Sequence, residues 1–506
     1  MFFFIRLSVF VLLLGLGWVG SGRAQPAKLP DLVVASLEVV SGDVVPGQTI
    51  TVRATLKNVG NAEARAGFNV RFHLSLAPDD VAITFGAPIN DFTVSSQRVG
   101  RALKAGALRE VTFSWTVVEV PLIRLRVTVD SPFDTVKESD ERNNTTEKAL
   151  FVDETLLNPW WLDATKVRQT QAITRGSADV VVAVVDTGID WTHPELAGQL
   201  WVNPGEVPGN GVDDDQNGFV DDIHGWDFVD QDNNLGGTQR NLHATAVAGI
   251  IAAADDGVGT TGVAPGVRLM DLRVLDSRGF GSFSAIAAAI VYAVLNGAQV
   301  INLSLGAPQD AANLCPPTVR PICRTQLTPL LKEQQAAVDF ARANGVVVVA
   351  AAGNESAGVG VPARFTGVLA VGATTESNAL ASYSNRGPEI SVVAPGGDLS
   401  ENQLKELFVF SAGNFDTIVP RLSSLLLTPY PGQGYGWFSG TSAAAPFVSG
   451  VVALMLSLNP ALGPQRVQAL LEQTALDLGP PGKDNDFGAG LLDAQAALKA
   501  AQATVR

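Results

Sequence analysis

The sequence predicts an α/β chain, with a mainly parallel sheet in a three-layer domain preceded by an all-β sandwich. Three observations carry this. From Ala178 onward, continuous β-branched runs alternate with apolar helical stretches, as in βαβ units whose sheet is covered on both faces. From Pro30 to Asp153 the pattern is short alternating strands separated by turn clusters. A length of 506 residues exceeds one ordinary domain and provides for two cores.

The chain opens with Met1 to Ala24, where a single early charge, Arg6, precedes an apolar stretch from Leu7 to Val19 and the ending Gly22-Arg23-Ala24. This reads as a secretory signal peptide over residues 1–24. A membrane anchor is the alternative, but the stretch is short against a span of about 20 residues. No later segment is expected to cross a bilayer.

Strands are expected at 32–40, 49–58, 69–76, 110–118 and 124–129, with turns at Val45-Pro46-Gly47 and Asn58-Val59-Gly60-Asn61. Short strands at this spacing predict an immunoglobulin-like sandwich over residues 30–153. Residues 154–177 form a connector whose Trp160 and Trp161 pack onto the domain that follows, residues 178–502. There, strands are expected at 180–186, 267–275, 299–305, 346–351, 368–372 and 391–393. Helices are expected at 244–254, 282–296, 333–344, 442–458, 464–474 and 493–500.

A net charge of −15 argues against nucleic acid as a partner, since phosphate binding needs clustered Lys and Arg. The two cysteines, Cys315 and Cys323, bracket a Pro-rich loop. In an exported protein a local disulfide is favoured over two free thiols.

The segment Gly440-Thr441-Ser442-Ala443-Ala444-Ala445-Pro446 sets Ser442, crowded by small residues, at the start of a long apolar run. A serine hydroxyl needs a base to become a nucleophile, usually a histidine oriented by a carboxylate. Of His73, His193, His224 and His243, the last opens a helix-like run, and the buried-strand pattern at 180–186 ends on Asp186. Asp, His, Ser is one of the chain orders in which this triad recurs.

From about Asn158 to about Ala500 the chain resembles the subtilisin-like serine proteases, or subtilases. The resemblance rests on Val185-Asp186-Thr187-Gly188-Ile189-Asp190, the His243 segment, Asn302-Leu303-Ser304-Leu305-Gly306, Ala351-Ala352-Gly353-Asn354 and Gly440-Thr441-Ser442. It implies Ser442 as nucleophile, His243 as base, Asp186 as its orienting carboxylate, and Asn354 with the Ser442 N–H as oxyanion donors. It also implies that Gly279-Phe280-Gly281 and Ser304-Leu305-Gly306 flank an extended peptide. Ala350-Ala351-Ala352-Gly353 would then floor a primary pocket suited to apolar side chains. Two departures stand out: Leu242 and Ala244 flank His243 where the family carries glycine, and Ala443 replaces the usual methionine. Residues 397–436 read as an insertion near the site rim, and the family's inhibitory propeptide is not evident. The sandwich resembles CARDB modules at Asn58-Val59-Gly60 and at Glu138-Ser139-Asp140-Glu141-Arg142-Asn143-Asn144.

The acidic run 213–222 partly matches the D-x-[DN]-x-[DN]-G calcium loop, with His224 where a bidentate glutamate would close an EF-hand. A structural calcium ion on Asp213, Asp215, Asn217 and Asp221 or Asp222 is favoured over a solvated acidic loop. The expected protein is a secreted endopeptidase acting on polypeptides through an acyl-enzyme, with the sandwich as an attachment or stability module. The alternatives are a catalytically impaired subtilase-fold peptide binder and a surface adhesin.

Overall fold

A computed structural model of the chain describes residues 28–41, 44, 48–75, 92–116, 122–130, 136–140, 143–151, 159–235, 243–256, 259–308, 318, 320–398, 407–412, 415–420, 426–430 and 434–505. The predicted signal segment and Leu242 lie outside them.

The N-terminal part holds seven strands among the described residues: β1 (Leu32–Ser41), β2 (Thr49–Asn58), β3 (Asn69–Ser75), β4 (Phe92–Arg98), β5 (Leu108–Thr116), β6 (Leu122–Val129) and β7 (Thr145–Phe151). They form antiparallel sheets in the orders β1-β2-β5 and β4-β3-β6-β7. Alternate residues of β2 are buried, which fixes the register against a core of Leu32, Ile50, Leu56, Phe68, Phe72 and Leu125. Strands β4 and β7 were not expected; short polar-rich runs such as Thr93 to Arg98 carry little apolar alternation.

The two CARDB-like motifs have a structural cause. Asn58 is fully buried; its Oδ1 accepts from the Asp31 and Gly60 N–H groups and its Nδ2 donates to the Ala62 and Leu103 carbonyls. A Cβ at Gly60 would lie 2.5 Å from the Asp31 backbone, so only glycine lets the chain pass. At the other motif, Glu138 is buried and accepts from the Leu32 N–H, while Asp31 accepts from Ser139 Oγ and Asn143 Nδ2. The acidic turn pins the first strand.

The larger part contains β8 (Val181–Asp186), β9 (Gly225–Asp227), β10 (Arg268–Arg273), β11 (Val300–Leu303), β12 (Val347–Ala351), β13 (Val368–Thr374) and β14 (Ile390–Pro395). All pair in parallel in the order β14-β13-β12-β11-β8-β10-β9. Two hairpins follow, β15 (Leu407–Ala412) with β16 (Phe415–Pro420) and β17 (Leu426–Tyr430) with β18 (Gly434–Phe438). The helices are α1 (Trp160–Ala164), α2 (Val167–Thr170), α3 (Pro194–Ala197), α4 (His243–Ala252), α5 (Phe283–Leu295), α6 (Arg320–Ala343), α7 (Thr441–Leu458), α8 (Pro464–Thr474) and α9 (Ala494–Gln502).

Successive strand residues feed opposite faces. Val182, Val184 and Val349 pack with α4 and α7, whereas Ala183, Val185 and Val348 pack with α5 and α6. Trp160 and Trp161 join the α4–α7 layer, as expected of the connector. Helix α7 is long and apolar enough to pass for a membrane span, contrary to expectation, but it is a core helix with Phe447 and Leu454 essentially enclosed. Helix α6 begins at Arg320, well before the expected residue 333, and holds Pro329 within it. Its first half is mostly solvent-facing and gives no amphipathic signal to read.

Candidate active site

Strand β8 ends on Asp186, which is fully buried, and its backbone carbonyl accepts from the Val274 and Leu275 N–H groups beyond β10. Helix α4 begins on His243, whose Nδ1 lies 2.9 Å from both Asp186 carboxylate oxygens. That contact assigns the proton to Nδ1 and leaves Nε2 as an acceptor. The imidazole side chain is 30% exposed, and the Phe438 ring meets it edge-on at 5.3 Å. Burial opposes the imidazolium, but the charge and hydrogen bond of Asp186 outweigh it and raise the pKa above the usual 6.5.

Ser442 stands in the first turn of α7 after Gly440, whose φ of 129° and ψ of 169° belong to a region that glycine alone adopts readily. Pro446 lacks the N–H that would bond the Ser442 carbonyl inside the helix. Ser304 Oγ takes that place at 2.9 Å, and Ser442 Oγ in turn donates to the Ser304 carbonyl at 3.0 Å. Asn302 Nδ2 donates to Ser304 Oγ, and Ser449 Oγ donates to Asn302 Oδ1, so a buried polar chain anchors the pair. In this resting rotamer the Ser442 hydroxyl bonds Ser304, not His243.

Asn354 follows β12 and is exposed. Its Oδ1 accepts from the Thr441 N–H and hydroxyl, both at 2.9 Å, and its Nδ2 has no partner among the described residues. The Ser442 N–H, at a helix start, likewise has no intrahelical acceptor. The loop carrying Asn354 is held by Asn385, a residue that motif reading missed. Its Oδ1 accepts from the Glu355 and Ala357 N–H groups and its Nδ2 donates to the Ala352 carbonyl and Glu355 Oε2. Of the predicted groove segments, Phe280 is 71% exposed while Ser304, Leu305, Ala350, Ala351 and Ala352 are buried. Gly279 sits at φ 78°, and Gly281, Gly306 and Gly353 are places where an added Cβ would lie within 3 Å of a neighbouring atom.

Residues 177–490 match the model of the subtilase family, and residues 29–148 match that of CARDB. The chain belongs to the subtilase family. It is 34% identical over 344 residues to the M-protease of Shouchella clausii (strain KSM-K16), covering 67% of this chain and 70% of that one. It is 33% identical to Subtilisin Savinase of Lederbergia lenta, covering 67% and 98%. A crystal structure of a lanthipeptide protease superposes with a TM-score of 0.54 at 30% identity, covering 69% of this chain and 96% of that one. This subtilase is thus a serine protease of subtilisin type, acting on polypeptides.

The acidic loop of the subtilase differs from expectation. Glu206, Asp213 and Asp215 bring one carboxylate oxygen each within 4.8 Å of one another. Asp221 instead accepts from the Asn210 and Gly211 N–H groups, and Asp222 accepts from Asn203, Asn217 and Tyr292. Asn217 turns its Oδ1 to the Phe219 N–H. Sequence spacing could not find Glu206, which lies outside the D-x-D register. Beside His243, Ala244 is fully buried and its N–H donates to Thr187 Oγ1 at 3.1 Å. Part of the expected insertion is structural: Leu426, Thr428 and Pro429 of β17 are buried, and Pro429 packs where a Cβ on Gly249 of α4 would fall.

Proposed function

We propose that this subtilase is a secreted serine endopeptidase using Asp186, His243 and Ser442. Ser442 rotates from the Ser304 carbonyl toward His243 Nε2, gives up its proton there and attacks the scissile carbonyl carbon. His243 then protonates the leaving amine, and water resolves the acyl-enzyme by the reverse relay. Asn354 Nδ2 and the Ser442 N–H receive the oxyanion. The peptide lies between Gly279-Phe280-Gly281 and Ser304-Leu305-Gly306 by strand addition. Its apolar side chain enters over Ala350-Ala351-Ala352-Gly353, which offer no charge. The observation that carries this reading is the buried carboxylate holding the imidazole by Nδ1.

Residues 1–24 would be removed on export, 30–153 form the CARDB module, 154–177 the connector and 178–502 the peptidase domain. An extracellular setting suits a Cys315–Cys323 disulfide; Cys323 is not a free thiol. The net charge of −15 disfavours nucleic acid, and the module is the candidate for surface attachment. Structural calcium fits Glu206, Asp213 and Asp215: Glu206 Oε2 is buried with no hydrogen-bond partner, as a cation ligand would be. Calcium there would neutralise the carboxylates and brace the loop.

A fluorophosphonate probe tests the reading. Labelling of the folded protein that vanishes in Ser442→Ala is expected; labelling that survives the substitution, or its absence from folded mature protein, would overturn it.

A further inference from the structure

Asp271 is fully buried in β10, opposite Val184 of β8 and two residues before Arg273, which pairs with Asp186. Its Oδ2 accepts from the Ile189 N–H at 2.9 Å and from Trp191 Nε1 at 3.1 Å. Both donors belong to the loop that leaves β8 after Asp186. The same loop grips the start of α4: Thr187 Oγ1 accepts from the Ala244 N–H, and the Asp190 N–H donates to Thr245 Oγ1 at 3.0 Å. Resting on the triad assignment above, we propose that Asp271 is a positioning residue, setting through Ile189 and Trp191 the loop that holds His243 against Asp186.

The chemistry of the pocket agrees. Burial first, then the charges of Asp186 and Asp227, push the Asp271 carboxyl up to about 8 despite its two N–H donors. The groups facing it are Asp186 of β8 with His243 beyond, Asp227 of β9, and on its own strand Arg273, which is engaged by Asp227 and Asp230. Asp271 Oδ1 is buried and unpartnered, which disfavours a negative charge there. At neutral pH, therefore, Asp271 carries its proton, and above that range it becomes a buried anion at the anchor of the loop.

The test compares Asp271→Asn, Asp271→Leu and Trp191→Phe with the intact enzyme on a peptide substrate. Asp271→Asn keeps an acceptor for Ile189 and Trp191, so kcat stays within about 3-fold. Asp271→Leu lowers kcat on the order of 10- to 100-fold with KM nearly unchanged, because a displaced base loses alignment. Trp191→Phe, which deletes one donor and keeps an aromatic ring, lowers kcat by a smaller factor and serves if the leucine variant does not fold. The proposal is overturned if folded Asp271→Asn loses as much kcat as Asp271→Leu, or if folded Asp271→Leu or Trp191→Phe keeps wild-type kcat. Fluorophosphonate labelling of the unmutated protein separates the two readings: without it the triad assignment falls and takes this one along, whereas with it the variants judge Asp271 alone.

Discussion

At His243, the proposed base, two opposing effects set the pH at which it would work. Desolvation disfavours the imidazolium, and Asp186 more than restores it, so the pKa lies above 6.5. Proton abstraction requires the neutral ring. Activity should therefore fall as the pH drops through a midpoint above 6.5, read from kcat/KM. Asp186→Asn should move that midpoint down and cost on the order of 10⁴ in kcat. Asn354→Ala should cost about 10²–10³ in kcat with little change in KM, a magnitude carried over from subtilisin itself. Asp186, His243 and Ser442 were legible because each closes a strand or opens a helix inside a short motif, and Asn354 because its motif follows a buried strand. Asp271 and Asn385 were not: their partners lie 82 and 30 residues away, and nothing local marks a polar residue as buried.

At the scale of elements, the β-branched runs announced the parallel strands, since a strand buried on both faces has no polar alternation. Boundaries failed where solvent-facing residues decided them, as at the start of α6, or where short polar runs pair, as in β4. The hairpin before Ser442 gives a further expectation. A Cβ on Gly249 would fall 2.2 Å from Pro429 Cδ, so Gly249→Val must drive β17 from α4. Overpacking of this kind costs about 1–3 kcal/mol. A lowered thermal midpoint is expected, together with a shifted His243 environment through Phe438, both measurable on the Ser442→Ala protein so that autolysis does not intrude.

On the scale of the whole molecule, the sandwich and the three-layer unit each close their own apolar core. Scanning calorimetry of the Ser442→Ala protein should therefore give two transitions. Adding EDTA should lower only the one assigned to the peptidase unit, because Glu206, Asp213 and Asp215 belong to it. A ligand at 100 times its Kd contributes about 2.7 kcal/mol, so the shift should be several degrees. A single transition, or one indifferent to the chelator, would refute this division.

Gly440 has a consequence for how this chain can vary. Its nearest obstacle to a side chain would be Asn354 Nδ2 at 3.4 Å, ordinary contact distance, so space alone would admit alanine. The backbone angles would not. In a saturation library screened for clearing of milk agar, position 440 should return one codon family, and compensating deletions of neighbouring atoms should not widen the choice.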